Sequence, residues 1–281
     1  MKKITHRHVT ILLCLILFAG IGLLSYPTVS NYWNSFHQTK VMSQYAEQVE
    51  KMDQETYENI RKEAEEYNKK LLNKKNRYRL SKKEKKEYQA WMNPVGTGIM
   101  GYIEIPSIHA NLAIYHGTDE SVLQVGIGHL EGTSLPIGGE STHCVLSGHC
   151  GLPSARLFTD LEKLEKGDEF ILHVLNERLA YKIDQIRIVE PKEVDELEII
   201  KGKDYCTLIT CTPYGINSHR LLVRGHRTEE SQKNDHTYVS TDAVQLDRLF
   251  VGEILGSILL IIAIIIMLGM KKTEHFRKRR W

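Results

Sequence analysis

The sequence predicts an all-β domain, a barrel or sandwich of about 130 residues, preceded by a helical segment and flanked by two membrane-spanning helices. Three observations carry this. From Met100 to Arg227 short apolar runs are cut repeatedly by Gly and Pro. From Gln38 to Gln89 the chain is dense in Lys, Glu, Gln, Asn and Tyr and contains neither Pro nor Gly. Near each end lies an uncharged apolar stretch close to the roughly 20 residues that cross a bilayer as a helix.

The N-terminal stretch, Val9 to Tyr26 (VTILLCLILFAGIGLLSY), follows Lys2, Lys3 and Arg7. It is longer than the apolar core of a secretory signal, usually about 7–15 residues. Residues 1–30 therefore read as a retained anchor rather than a signal cleaved near Thr28-Val29-Ser30. Residues 31–94 read as a charged helical stalk or lid-like segment, with Val41, Tyr45, Val49, Met52, Ile60, Tyr67, Leu71 and Leu72 at irregular helical spacing. Composition favours the stalk.

Residues 95–228 form the predicted barrel, with strands in MGYIEIPSI (100–108), CVLSGHC (144–150), DEFILHVL (168–175), RLAYKIDQIRIVEP (178–191), CTLITC (206–211) and RLLVRG (220–225). Leu175 to Arg178 joins two alternating runs as a hairpin. Leu157 to Leu164 supplies one short helical turn. A linker, 229–248, leads to a second spanning helix within 249–270 (ILGSILLIIAIIIMLGM, 254–270) and to a basic tail, 271–281. A run apolar on every face has no soluble surface to pack against. Lys and Arg at both ends put both termini in the cytoplasm and the domain outside. The cell membrane is thus one expected partner. A net charge of +2 over 281 residues, without a basic stripe interleaved with aromatics, gives no support to nucleic-acid binding.

The external placement sets how the cysteines read. Cys14 lies in the first apolar stretch; Cys144, Cys150, Cys206 and Cys211 lie outside, where disulfides persist. Pairings such as 144–150 and 206–211 are open, although a domain of this size does not depend on staples. His143-Cys144 and His149-Cys150 flank a strand at a spacing that matches no common zinc pattern, so no metal is expected. Cys206 begins a strand and Cys211 ends it, and their odd separation puts the two side chains on opposite faces.

Cys211 sits where the chain leaves the sheet, a place that holds a side chain rigidly yet exposes it. A thiol acts as nucleophile only as thiolate, which calls for neighbouring positive charge or a base. Arg220 begins the returning strand and can bring its guanidinium to that end of the sheet; adjacent His219 faces the other way. His149, in LSGHCGLP, is the best placed base, followed by His129 in GIGHLEGTSLP.

TLITC with Arg220 nine residues after Cys211, together with LSGH around His149, resembles the sortase family of Gram-positive surface transpeptidases. The longer blocks MGYIEIPSI, IYHGTDESVLQVGIGHLEGTSLPIGGESTHCVLSGHCGLPSARLFTDLEKLEKGD and TLITCTPYGINSHRLLVRGHR resemble its pilin-polymerising branch, class C, over about Met100 to Arg227. The resemblance implies an eight-stranded sortase barrel with Cys211 as nucleophile, His149 as general acid/base and Arg220 as oxyanion or substrate support. It implies cleavage of an LPXTG-like sorting signal between Thr and Gly through a thioester, without metal or organic cofactor. Pilin subunits are the implied partners, a pilin lysine taking the acyl group. The alternatives are a sortase that uses a cell-wall precursor amine, and a membrane-anchored β-barrel adhesin with structural cysteines. Class C enzymes commonly carry an Asp-Pro-aromatic lid motif. This chain has no Asp-Pro, and its only proline between Pro27 and Pro106 is Pro94. The expectation is an open or differently gated site that survives deletion of residues 40–90.

Overall fold

A computed structural model describes residues 6–228 and the pair 256–257. The linker 229–248 and the tail 271–281 lie outside the described residues, as does nearly all of the second spanning helix expected within 249–270. The chain divides into two compact units, residues 1–32 with 244–281, and residues 33–243.

The first unit contains the apolar part of helix α1 (His6–Glu50). Leu13, Leu15, Ile16, Leu23 and Leu24 there are more than half exposed. Among the described residues α1 is the one helix long and apolar enough to cross a membrane. An unpartnered apolar surface of this kind is compatible with bilayer anchoring.

The second unit is built on eight strands: β1 (Ile99–Ile105), β2 (Ala110–His116), β3 (Ile127–His129), β4 (Thr142–Ser147), β5 (Glu169–Val174), β6 (Glu177–Val189), β7 (Asp204–Thr212) and β8 (His219–Arg227). They close as β1-β2-β3-β4-β7-β8-β6-β5. The β2–β3 and β4–β7 pairs are parallel and the rest antiparallel. Closure leaves no free edge. The β5–β6 hairpin turns through Leu175-Asn176, with Leu175 at φ 52°. The helical turn expected near 157–164 is a 3-10 turn at Leu161–Lys163. Ile103, Ile114, Ile127, Phe170, Leu172 and Leu208 fill the interior with essentially no exposure.

The charged N-terminal segment is not a detached stalk. Helices α2 (Gln54–Leu71) and α3 (Lys82–Ala90) follow α1; Asp53 caps α2, and Ser81 with Glu84 forms a capping box on α3. Met42, Tyr45 and Val49, then Ala64, Tyr67 and Leu71, recur at helical spacing and join the barrel's core cluster, as does Tyr88. The many Lys and Glu occupy the opposite faces, so composition hides an apolar stripe of ordinary width. Polar ties fix its register. The Tyr45 hydroxyl donates to Met100 O at 2.9 Å and accepts from Leu175 N at 2.8 Å. The Gln38 amide accepts from Ala113 N at 2.8 Å and donates to Val125 O. The Asn68 amide accepts from Leu135 N at 2.7 Å and donates to Leu135 O at 3.2 Å. Deleting residues 40–90 would uncover this stripe and strand the backbone groups held by Tyr45 and Asn68, so the expectation of a site that survives the deletion gives way to one of unfolding.

Two outcomes follow for stability. Tyr45→Phe keeps the buried ring and leaves the Met100 carbonyl and Leu175 amide unpartnered; chemical denaturation should read a loss of about 1–3 kcal/mol. His143 is buried, with Nδ1 donating to Glu198 O at 2.9 Å and Nε2 accepting from the Thr207 hydroxyl at 2.7 Å. Burial pulls its pKa down to about 4. An unfolded histidine titrates near 6.5, so between about pH 4 and 6.5 the unfolded chain holds the extra proton. The contribution of His143 is complete above that window and is lost as pH falls through it. Urea titrations across this range should show His143→Gln flattening the slope of stability against pH.

Candidate active site

The site is assembled by one parallel and one antiparallel pairing. In the parallel β4–β7 ladder Thr142 faces Asp204 and Ser147 faces Ile209. The pairing continues past β4: Gly148 N donates to Ile209 O at 3.0 Å, and the buried Thr210 hydroxyl donates to Gly148 O at 2.8 Å. His149 thus leaves the sheet alongside Cys211. Position 148 has no room for a side chain, since a Cβ there would lie 2.8 Å from the Phe158 ring and 2.9 Å from Ile127. In the antiparallel β7–β8 ladder Cys211 is the direct partner of Arg220, and Thr212 of His219.

Alternation along these strands separates two faces. Cys144, Leu146, Cys206, Leu208 and Val223 belong to the interior cluster. Val145 and Leu222 pack outside with Leu197, and Ile209 packs against them. By the same period of two, Cys211 and Arg220 share the outer face. That face is a shallow floor of β4, β7 and β8, walled at one end by the 3-10 turn Asp195–Leu197 from the β6–β7 connection. At the other end the β7–β8 turn presents Tyr214, 62% exposed, and Ile216, 72% exposed. The Thr212-Pro213 peptide in this turn is cis, and Gly151 abuts the Tyr214 ring, so the segment after His149 lies against the segment after Cys211.

Three of the residues singled out from sequence meet at this end of the sheet. Cys211 is a free, half-buried thiol. Arg220 donates through Nη1 to His219 O at 3.0 Å and Asn217 O at 3.3 Å, which anchors its guanidinium on the turn. His149 keeps Nε2 buried with no hydrogen-bond partner among the described residues. The nearest carboxylate is Glu120 Oε1 at 3.8 Å, on the short helix α4 (Glu120–Leu123). Glu120 was not legible as a site residue, because only tertiary folding brings α4 beside the β4 exit. Cys150, next to the histidine, has its thiol pKa raised by burial, then by Glu162 and by Cys211 itself, which favours its protonated form.

The other candidates lie elsewhere. His129 is fully buried, with Nδ1 on the Tyr88 hydroxyl at 2.9 Å and Nε2 on Ser134 O at 2.8 Å: it is a satisfied core histidine and not a base at the site. His219 is exposed and meets the Ser218 hydroxyl. His143 and Cys144 point to opposite faces of β4 and cannot ligate one ion together. A cavity of about 510 Å³ lined by Arg61, Asn68, Gly139 and Asp204 lies at the start of β7, the end away from Cys211.

The N-terminal segment reaches the wall of this floor. Arg77, in the α2–α3 connection, is buried and donates to Leu197 O at 2.9 Å and to the Tyr78 hydroxyl at 2.8 Å. It also lies 3.3 Å from Glu198 Oε1. Contacts other than an Asp-Pro-aromatic motif thus pin the N-terminal segment to the β6–β7 connection.

Residues 103–228 match the model of the sortase domain family. Sortase C1 of Streptococcus agalactiae is 52% identical, with a TM-score of 0.65, the match covering 67% of this chain and 98% of that one. Sortase C of Streptococcus pneumoniae, whose structure bears on pilin substrate specificity, is 44% identical at a TM-score of 0.59, over 67% of this chain and 96% of that one. Sortase D of Bacillus subtilis is 32% identical over 45% of this chain, a match spanning 63% of that relative's length.

The close fit at Gly148 yields a direct test. Gly148→Ala forces its methyl into Phe158 and Ile127, and overpacking of this kind costs about 1–3 kcal/mol. Thermal unfolding should read that loss, and iodoacetamide labelling of Cys211 should change in rate as the histidine segment shifts.

Proposed function

The chain belongs to the sortase family, and on that premise we propose that it is a membrane-anchored, pilin-polymerising cysteine transpeptidase with Cys211, His149 and Arg220 as its catalytic residues. The observation that carries this reading is register: Cys211 and Arg220 are direct partners on one face, and the strand parallel to β7 delivers His149 to the same end. Structural relatives named sortase C, at 44% to 52% identity, support the pilin class.

The Cys211 thiolate attacks the Thr carbonyl of an LPXTG-like signal, and the C–N bond to Gly breaks as imidazolium His149 protonates the departing amine. The Arg220 guanidinium carries planar, permanently charged donors, suited to the oxygen that becomes negative in the tetrahedral intermediate. In the second half His149 takes a proton from a lysine amine of a pilin subunit, which attacks the thioester; the C–S bond breaks, Cys211 leaves as thiolate, and an isopeptide bond remains. The acyl energy stays in the thioester throughout, so the cycle requires no cofactor. The apolar half of α1 holds the enzyme at the membrane, with residues 95–228 outside and both termini in the cytoplasm.

Incubating the full chain in detergent with pilin subunits that carry an LPXTG-like signal should give a ladder that survives boiling in detergent. Cys211→Ala should abolish it with an unchanged melting profile. Arg220→Lys should keep the charge but lose the fixed fork, lowering kcat roughly 10²–10³-fold with a small change in KM. A ladder made by Cys211→Ala overturns the mechanism. Thioester formation without a ladder, relieved by a cell-wall precursor amine, overturns the acceptor.

A further inference from the structure

Cys144 and Cys206 are direct partners in the parallel β4–β7 ladder. Both side chains lie in the interior cluster, 2% and 0% exposed. Partners in a parallel pair have their Cα atoms about 4.8 Å apart, the spacing of neighbouring strands, which lies within the roughly 4.4–6.8 Å usual for a disulfide. Directly paired residues also project to the same face, so the two Cβ vectors run side by side. The pairings weighed from sequence fail on the same topology. Cys206 points inward and Cys211 outward on one strand, and Cys150 lies beyond the end of β4 with its thiol toward Thr159 O.

The electrostatics set the two thiols apart. Burial pushes both thiols up, but the Cys206 thiol directed at the Cys144 sulfur, with His129 beside it, draws Cys144 below the usual thiol value. Burial and the same contact hold Cys206 well above it. The two thiols thus differ in acidity while they face each other in the folded barrel.

We propose that Cys144 and Cys206 form a disulfide that cross-links β4 to β7 in the mature protein, a modification site distinct from the Cys211 thiol. This rests on the external location proposed above, where a disulfide persists. The reaction balances with a small disulfide such as oxidised glutathione as oxidant. The Cys144 thiolate attacks it, forming a mixed disulfide and expelling one glutathione thiolate. Cys206, giving its proton to solvent, attacks the Cys144 sulfur and expels the second. Two protein thiols are oxidised by two electrons, and one small disulfide becomes two thiols. Both sulfurs are enclosed in the fold, so exchange takes place as β4 and β7 dock or transiently separate. Cys211, on the opposite face, takes no part in this cross-link.

The test uses the full chain in detergent, equilibrated with oxidised glutathione in mild denaturant, then unfolded in the presence of N-ethylmaleimide and mapped by mass spectrometry. The expected result is a peptide joining Cys144 to Cys206, with Cys211 and Cys150 outside the link and carrying maleimide or a single glutathione. Reduction should lower the thermal midpoint by roughly 5–15 °C, a shift missing from both Cys144→Ala and Cys206→Ala. Maleimide on both Cys144 and Cys206 in the oxidised sample, or a link that uses Cys150 or Cys211, overturns the proposal. Ladder formation by the linked protein is read separately: a linked but inactive chain counts against the proposed activity and not against the cross-link.

Discussion

Everything at the reactive end of this barrel depends on the parallel pairing of β4 with β7. In a parallel pair both chains leave the sheet at the same end. The segment after Ser147 and the end of β7 therefore emerge side by side, and the bond from Gly148 N to Ile209 O extends their common register one step past the strand. An antiparallel arrangement would have delivered the histidine to the Asp204 end, the full length of β7 from Cys211. The antiparallel return of β8 then adds Arg220 opposite Cys211 with no further device. Two ladders, one of each sense, converge three side chains from distant parts of the chain.

The helical segment is the second constraint. Its ties to the barrel are buried and mostly bidentate: Tyr45 serves a donor and an acceptor at once, as do Gln38 and Asn68. Each therefore satisfies two backbone groups that would otherwise lie dry and unpaired, at a cost larger than the bonds' net contribution. The wrap also runs on to the candidate site's wall, because Arg77 holds Leu197 O and thereby the turn that covers Val145 and Leu222. His143 grips the same connection from below through Glu198 O. The β6–β7 connection is consequently clamped between the N-terminal segment and the sheet.

Much of this was legible in the sequence, and what was not has a physical cause. Alternation and turn residues were enough for the barrel, the β5–β6 hairpin and the opposed faces of Cys206 and Cys211, since a period of two is local information. The neighbouring of Cys211 and Arg220 was legible as a condition on two adjacent strands. Besides Glu120, three things were not. Counting charges made the N-terminal segment a stalk, because Met42, Tyr45 and Val49 are few among many lysines and glutamates although they sit at the right spacing. His129 looked like a base because its neighbours in sequence are turn residues, while its actual partners, Tyr88 and Ser134, come from α3 and from a loop. The facing of Cys144 and Cys206 depends on strand order, which no local pattern encodes.

The two thiols of β7 show how one strand places the same residue type in two environments. Cys206 lies in the middle of the ladder, faces inward and is surrounded by apolar side chains and one other sulfur, so its charge is disfavoured and its natural fate is to stay a thiol or to bond to Cys144. Cys211 is the same residue type a few positions on, but it lies at the strand's end, on the outer face, half-buried and opposite a guanidinium. Reactivity needs a sulfur that is both reachable and near positive charge. On a β-strand these conditions are met together only where alternation turns the residue outward and the sheet gives way to a turn. The odd spacing between the two cysteines is thus what allows a core sulfur and an outward-facing one to share a single rigid strand.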